Sequence, residues 1–183
     1  LNDFIKELLQ MTYPPVVIVD EKDKVVGSAK LQEAWDNGLI HRIVFVIVED
    51  SSGKILLHKR APDMKLFAGR WDTAGGHVDV TPDCEQSARL ELEEEVGLQD
   101  VELTKIAHFY CDEPYDNGVR AKRFITIYHC YSDDEGAPGD GEAVELRKFT
   151  KAEIARLAAD HPERVAEGLH RCLPYVLPAM VAA

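Results

Sequence analysis

The sequence predicts a mixed α/β (α+β) domain in which one mixed β-sheet is sandwiched between α-helices. Three observations predict it. The 183 residues suit one domain of ordinary size with a real core. The balance of 45% hydrophobic and 30% charged residues is that of a globular chain and not of a disordered one. The apolar patterning runs through strands, a helix, more strands and then helices, with no repeat or low-complexity tract.

The opening "LNDFIKELLQM" has apolar residues at helical spacing and an acid among them, so it reads as a short surface helix and not a signal peptide. "VVIVDEKDKVVGSA" reads as two short strands around a polar turn at Glu21–Lys24. "KLQEAWDNGL" is a short helix ended by Gly38. "RIVFVIVED" and "KILLHKR" form a hairpin across "SSG". "APDMKLFAGRW" is a loop, and "DTAGGHV" a short strand entering a glycine turn.

Asp83–Val96 carries the best helix signal. Asp83 is a natural N-cap with Gln86 three residues on, and Gly97 stands at the usual stop. Strands follow at "VELTKIAHFYC" and "KRFITIYHCY", then a polar loop at "SDDEGAPGDGEA" and a last strand at "VELRKF". "TKAEIARLAAD" and "PERVAEGLHRCL" read as two helices.

A formal net charge of -12 and a pI near 5.0 exclude a general basic surface for a nucleic acid polymer. A phosphate compound must therefore be neutralised locally, by a metal or by a few placed Arg and Lys. Cys84, Cys111, Cys130 and Cys172 form no CxxC pair, so no structural zinc site is expected, and they read as reduced thiols of a cytoplasmic protein. The longest apolar runs, Val16–Val19 and Ile43–Val48, are far too short to span a membrane.

Within the best helix, a rotation of about 100° per residue puts Glu91, Glu94 and Glu95 on one face and Glu93 opposite. Leu92, Val96 and Ala88 are left for the core. Clustered carboxylates repel one another, and like charges four residues apart destabilise a helix. A hard divalent cation shared between carboxylates and substrate phosphates relieves that repulsion. The plain alternative is a solvated acidic face.

The context of this run resembles the Nudix box. That pattern is Gly, five residues, Glu, seven residues, then Arg-Glu-apolar-x-Glu-Glu-x-Gly-apolar. With its last glycine at Gly97, the first falls on Gly76, and Glu91, Leu92, Glu94, Glu95 and Leu98 are in register. Two positions depart: Pro82 stands for the early Glu and Leu90 for the Arg. "HRIVFVIVEDSSGKILLHKRAPDMKLFAGRWDTAGGHV" is similar to the run that precedes the box, and "GEAVELRKFTKAEI" to its closing strand and helix. "VDEKDKVVG" and the pair His41-Arg42 resemble the branch that includes isopentenyl diphosphate isomerases.

The resemblance implies a Nudix fold over 41–175 behind an N-terminal extension, 1–40. It implies hydrolysis of a diphosphate linkage in a nucleoside diphosphate derivative or similar small diphosphate, with Mg²⁺ as cofactor and Mn²⁺ as a substitute. Glu94 and Glu95 would be primary metal ligands, with Glu91 a ligand or water-positioning group and the Gly76 carbonyl a further ligand. The general base would come from the box or from a later loop acid, for which Glu142 and Glu145 are the candidates. Arg60, Arg70 and His77 would contact substrate, while Trp71 and Tyr110 fit buried packing better than base stacking. No membrane or nucleic acid polymer is expected as partner. A homodimer through the extension or the C-terminal helix fits the pattern, and substrate choice would lie in the Ala61–Arg70 and Asp112–Arg120 loops.

Two other readings stand beside this one. Leu90 removes the arginine that braces the box glutamates, and Arg89 is turned about 100° away from that position; a ligand-binding regulator with weak turnover is the first. The second is an isomerase, for which His41 and His77 match. Against it, Gly75 stands where a cysteine is required, and "RAKRFITIYHC" lacks a Glu-x-Glu.

Overall fold

The computed structural model describes residues 15–79, 83–115, 118–139 and 141–177. The reading of "LNDFIKELLQM" as a helix and the departure at Pro82 lie outside them.

A continuous apolar run, buried on both faces, makes β3 (Ile40–Glu49) the longest strand, and the sheet is built around it. The polar turn at 20–24 folds β1 (Val16–Val19) onto β2 (Val25–Ala29), and β1 joins β3 through Ile18↔His41. Helix α1 (Leu31–Asp36) stops where Gly38 takes φ +61°. β4 (Ile55–Arg60) meets β3 at Val48↔Leu56, as the hairpin pattern predicts. β5 (Trp71–Asp72) extends β4, and β6 (Ala74–His77) pairs with the middle of β3. β7 (Thr104–Cys111) is antiparallel to β8 (Arg123–Tyr131), and β9 (Ala143–Phe149) to β4.

β8 runs parallel to β3 along nine register pairs from His41↔Arg123 to Glu49↔Tyr131. This pairing makes the sheet mixed.

Each face of the sheet is covered by helices. On one, Val44, Val46, Val48, Leu56 and Tyr128 pack against Ala88, Leu92 and Val96 of α2 (Cys84–Val96). On the other, Ile43, Phe45, Ile47, Leu57, Ile125 and Ile127 pack against α3 (Lys151–Asp160) and α4 (Glu167–Val176). Each buried Leu or Ile stabilises the fold by about 1.5–3 kcal/mol.

Caps set the helix limits. Asp83 Oδ1 accepts from the Gln86 N–H at 2.9 Å, and Gly97 ends α2 at φ +70°. Thr150 and Glu153 form a reciprocal capping box on α3.

The single helix predicted over "PERVAEGLHRCL" is corrected. Pro162–Arg164 is one 3₁₀ turn, and α4 begins at Glu167. Between them the Ala166 N–H donates to the Trp71 carbonyl (2.9 Å), which holds the chain extended against β5.

Candidate active site

Two adjacent backbone features create the site. Gly76 pairs with Val44 on the face that α2 covers. A Cβ built on Gly76 would stand 2.1 Å from Glu91 Oε1, so the Glu91 carboxylate fills the space that a side chain would need. One residue earlier, the Gly75 N–H donates to Glu95 Oε2 at 2.8 Å. Two glutamates one helical turn apart thus converge on the double glycine.

Their environments differ. Glu95 is 2% exposed, Glu91 is half-buried and Glu94 is exposed. Burial pushes the Glu95 carboxyl well above its ordinary range, and the Glu91 charge pushes it further. A divalent ion would relieve both effects, so the donor set of Glu91, Glu95 and the glycine backbone beside them fits one. Among the described residues, no three His, Cys, Asp or Glu groups are close enough as they stand to hold a metal. Glu94 would have to swing in from solvent, which its exposure permits.

Arg60 faces inward. Its Nη1 is 4.0 Å from both Asp72 Oδ2 and Glu95 Oε1, and its side chain is 13% exposed. Its Nε donates to the Leu66 carbonyl at 3.3 Å. Asp72 is fully enclosed, and burial raises its carboxyl to about 6 despite Arg60. The Leu169 and Thr73 N–H groups both donate to Asp72 Oδ1.

His58 completes this layer. Its Nδ1 lies 3.8 Å from Glu95 Oε2, and burial lowers its pKa to about 3. A neutral ring at that distance makes neither an ion pair nor a hydrogen bond. Asp72 and His58 were missed by sequence reasoning. Their signal was pairing, since His58↔Asp72 are register partners.

Other predicted residues fall into place around this centre. The Glu142 carbonyl accepts from the Ala61 N–H (2.7 Å), which holds Glu142 beside Arg60. Glu145 is paired across the sheet with Lys59 at 3.6 Å, next to a Lys59 ammonium that lies 5.9 Å from the Trp71 ring. Arg70 stacks over Phe67 at 5.3 Å. Trp71 is buried against Phe149, as expected of packing. Tyr110 is a correction: it is 45% exposed, because β7 is an edge strand and turns it outward against Phe124.

Leu90 is 46% exposed. Arg89 is held by Glu85 at 2.8 Å and by the Val101 carbonyl at 2.7 Å, so it does not replace the missing brace.

His77 follows Gly76 and points to the opposite sheet face, where its ring lies 5.2 Å from that of His41. Burial lowers His41 to about 4 and His77 well below its ordinary value, with the Arg123 charge adding to both. The Leu39 carbonyl is near enough to oppose the His41 shift, but outside hydrogen-bond geometry.

At Gly75 a Cβ would stand 2.2 Å from the Val44 carbonyl oxygen. The cysteine that an isomerase needs at this place has no room on this backbone. Arg123, fully buried and paired with Glu167, stands beside His41.

The NUDIX domain family model matches residues 39–172. An uncharacterised Nudix hydrolase of Pseudomonas aeruginosa is 37% identical over 140 residues, covering 75% of this chain and 78% of that protein. The isopentenyl-diphosphate Delta-isomerase 2 of Aromatoleum aromaticum is 28% identical over 163 residues, 88% of this chain and 86% of that one. Among solved structures, DR0079 from Deinococcus radiodurans is similar with a TM-score of 0.71 at 22% identity, over 89% of this chain and 99% of that one.

Proposed function

The chain belongs to the Nudix hydrolase family, and we propose that it is a Mg²⁺-dependent hydrolase of a nucleoside diphosphate derivative or similar small diphosphate. Its enzyme class is that of the pyrophosphohydrolases, which act on phosphorus-containing anhydrides.

One observation carries the reading: the Glu91 carboxylate occupies the place of a side chain on Gly76 while Glu95 is tied to Gly75. Glu91, Glu94, Glu95 and the Gly76 carbonyl would hold the ion, with Mn²⁺ a substitute of the same hard-oxygen preference. Such an ion offsets diphosphate charge and acidifies water. The chain's own residues do the rest. Arg60 keeps positive charge beside Glu95, favouring its ionised, ligating form. Glu142, beside Arg60, is the candidate to accept the proton of the attacking water. Arg70 and His77 are the candidates to contact substrate.

Four free cysteines among the described residues fit a reducing, cytoplasmic setting, and no described helix is long and apolar enough to cross a membrane. The regulator reading is favoured by Leu90 alone.

The test is formation of the monophosphate products, read by chromatography, from a panel of nucleoside diphosphate sugars, dinucleotides and nucleoside triphosphates, with Mg²⁺ and with Mn²⁺. Turnover that disappears in the Glu94→Gln, Glu95→Gln double variant is the expected result. Full activity in that variant sinks the site assignment. Binding without turnover of any compound favours the regulator.

A further inference from the structure

A second group of polar atoms lies on the sheet face opposite α2. Trp35 Nε1, both ring nitrogens of His41, His77 Nε2 and Arg123 Nε are buried with no hydrogen-bond partner among the described residues. They form one connected cluster. The His41 and His77 rings are 5.2 Å apart, Trp35 is 6.3 Å from His77 and 6.1 Å from Tyr115, and the Arg123 guanidinium is 4.6 Å from the Tyr115 ring. His41 and Arg123 are register partners on adjacent strands.

Orphaned buried donors are rare, and each costs free energy until something accepts from it. Trp35 Nε1 and Arg123 Nε are obligate donors, and each imidazole can turn an N–H toward the same acceptor. The group that satisfies the two obligate donors and one N–H from each imidazole must therefore be rich in acceptors. Arg123 Nη1 and Nη2 already donate to the Glu113 and Ala121 carbonyls and to Glu167, so Nε is the guanidinium donor left for that group, and a charged acceptor makes the strongest bond to it.

Two features supply access. Tyr115 and Phe67 pack edge to face at 5.6 Å over the cluster, and both line an open cavity of about 410 Å³ whose wall includes Glu167, the partner of Arg123. No described strand pairs with the far edge of β6. Gly76 and His77, about 3.8 Å apart along the chain, face opposite sides of that edge, so a substrate lying across it reaches both.

We propose that Trp35, His41, His77 and Arg123 form a second recognition site, which takes an oxyanion carried by the substrate beyond its scissile diphosphate and opens by displacement of the aromatic side chains above it. The role as a substrate subsite rests on the proposed hydrolase reading. The oxyanion is a phosphate monoester or a carboxylate, and these share the acceptor chemistry.

The test uses the full chain in EDTA, so that binding is read without the metal centre. Inorganic phosphate, ribose 5-phosphate and acetate are titrated while the indole N–H resonance of Trp35 is followed, assigned with Trp71→Phe. A saturable shift with the phosphates or with acetate is expected, and which probe gives it identifies the class. Trp35→Phe should weaken calorimetric binding of that probe about tenfold, the loss of one charge-assisted hydrogen bond. Glu91→Gln with Glu94→Gln should leave it within about twofold. A Trp35 resonance unmoved by all three probes overturns the inference, and so does equal affinity in Trp35→Phe. Either failure leaves the hydrolase reading standing, because that reading is tested by turnover at the glutamates.

Discussion

Arg60 gives the sharpest prediction. In Arg60→Met a stem of similar length is kept and the charge is lost. The guanidinium is 4.0 Å from each of two carboxylates, those of Asp72 and Glu95. At an effective dielectric of about 20, a full charge pair at that distance is worth about 4 kcal/mol. The whole of it is not lost, because a carboxylate left unpaired in this interior takes up a proton. We therefore expect Arg60→Met to lose about 3 kcal/mol of stability at pH 8, in the range for breaking a buried pair. At pH 5 the loss should fall to about 1 kcal/mol, since Asp72, raised to about 6, is then largely protonated and has little to lose. Urea denaturation of both proteins at the two pH values measures this. An equal loss at both pH values would refute the argument. A raised KM at unchanged stability would instead make Arg60 the phosphate contact that the family resemblance implies.

Asp72→Asn should remove a pH-dependent cost. The folded pKa of Asp72 is raised from 3.8 to about 6, so the wild type is favoured below pH 3.8 and loses stability as pH rises through 6. The variant's stability relative to wild type should climb by about 3 kcal/mol between pH 3 and pH 7, and a flat difference in thermal or urea unfolding would contradict it. Gly76→Ala forces its Cβ into the Glu91 carboxylate, 2.1 Å away. Turnover should drop about a hundredfold with less than about 2 kcal/mol of lost stability; unchanged kcat/KM would mean that Glu91 does not act from where it sits. Leu90→Arg places a cation on an exposed position four residues before Glu94. Stability should change by no more than about 0.5 kcal/mol and turnover by less than about twofold, whereas a tenfold gain would show that the absent arginine limits this enzyme.

Much of this was legible because it is local. α2 could be delimited from Asp83, Gly97 and the spacing of its apolar residues, since capping and helical periodicity act within a few positions. That Glu91 and Glu95 share a face toward Gly76 could be read for the same reason, helped by the family spacing. What could not be read depends on which strands meet. Nothing in "RIVFVIVED" says that its partner along the full length is "KRFITIYHCY" in parallel. The layer of His58, Asp72 and Arg60 behind Glu95 exists only once β4 and β5 are paired. Leu90 looked like a missing brace because helix arithmetic sees one helix; the guanidinium that faces Glu95 comes from a strand.

The Val44 carbonyl beneath Gly75 has a consequence for ancestry. The chain is 28% identical to an isomerase over 163 residues, and a Gly-to-Cys change at Gly75 is one of the steps that would separate the two chemistries. That step is obstructed by main chain as well as by the Phe45 side chain, so second-site trimming of a residue does not by itself clear it. Interconversion demands that β3 and β6 part or shift along each other. A drift in function here would have to be preceded by a drift in sheet geometry, and laboratory evolution that samples point substitutions alone should find the barrier from this side hard to cross.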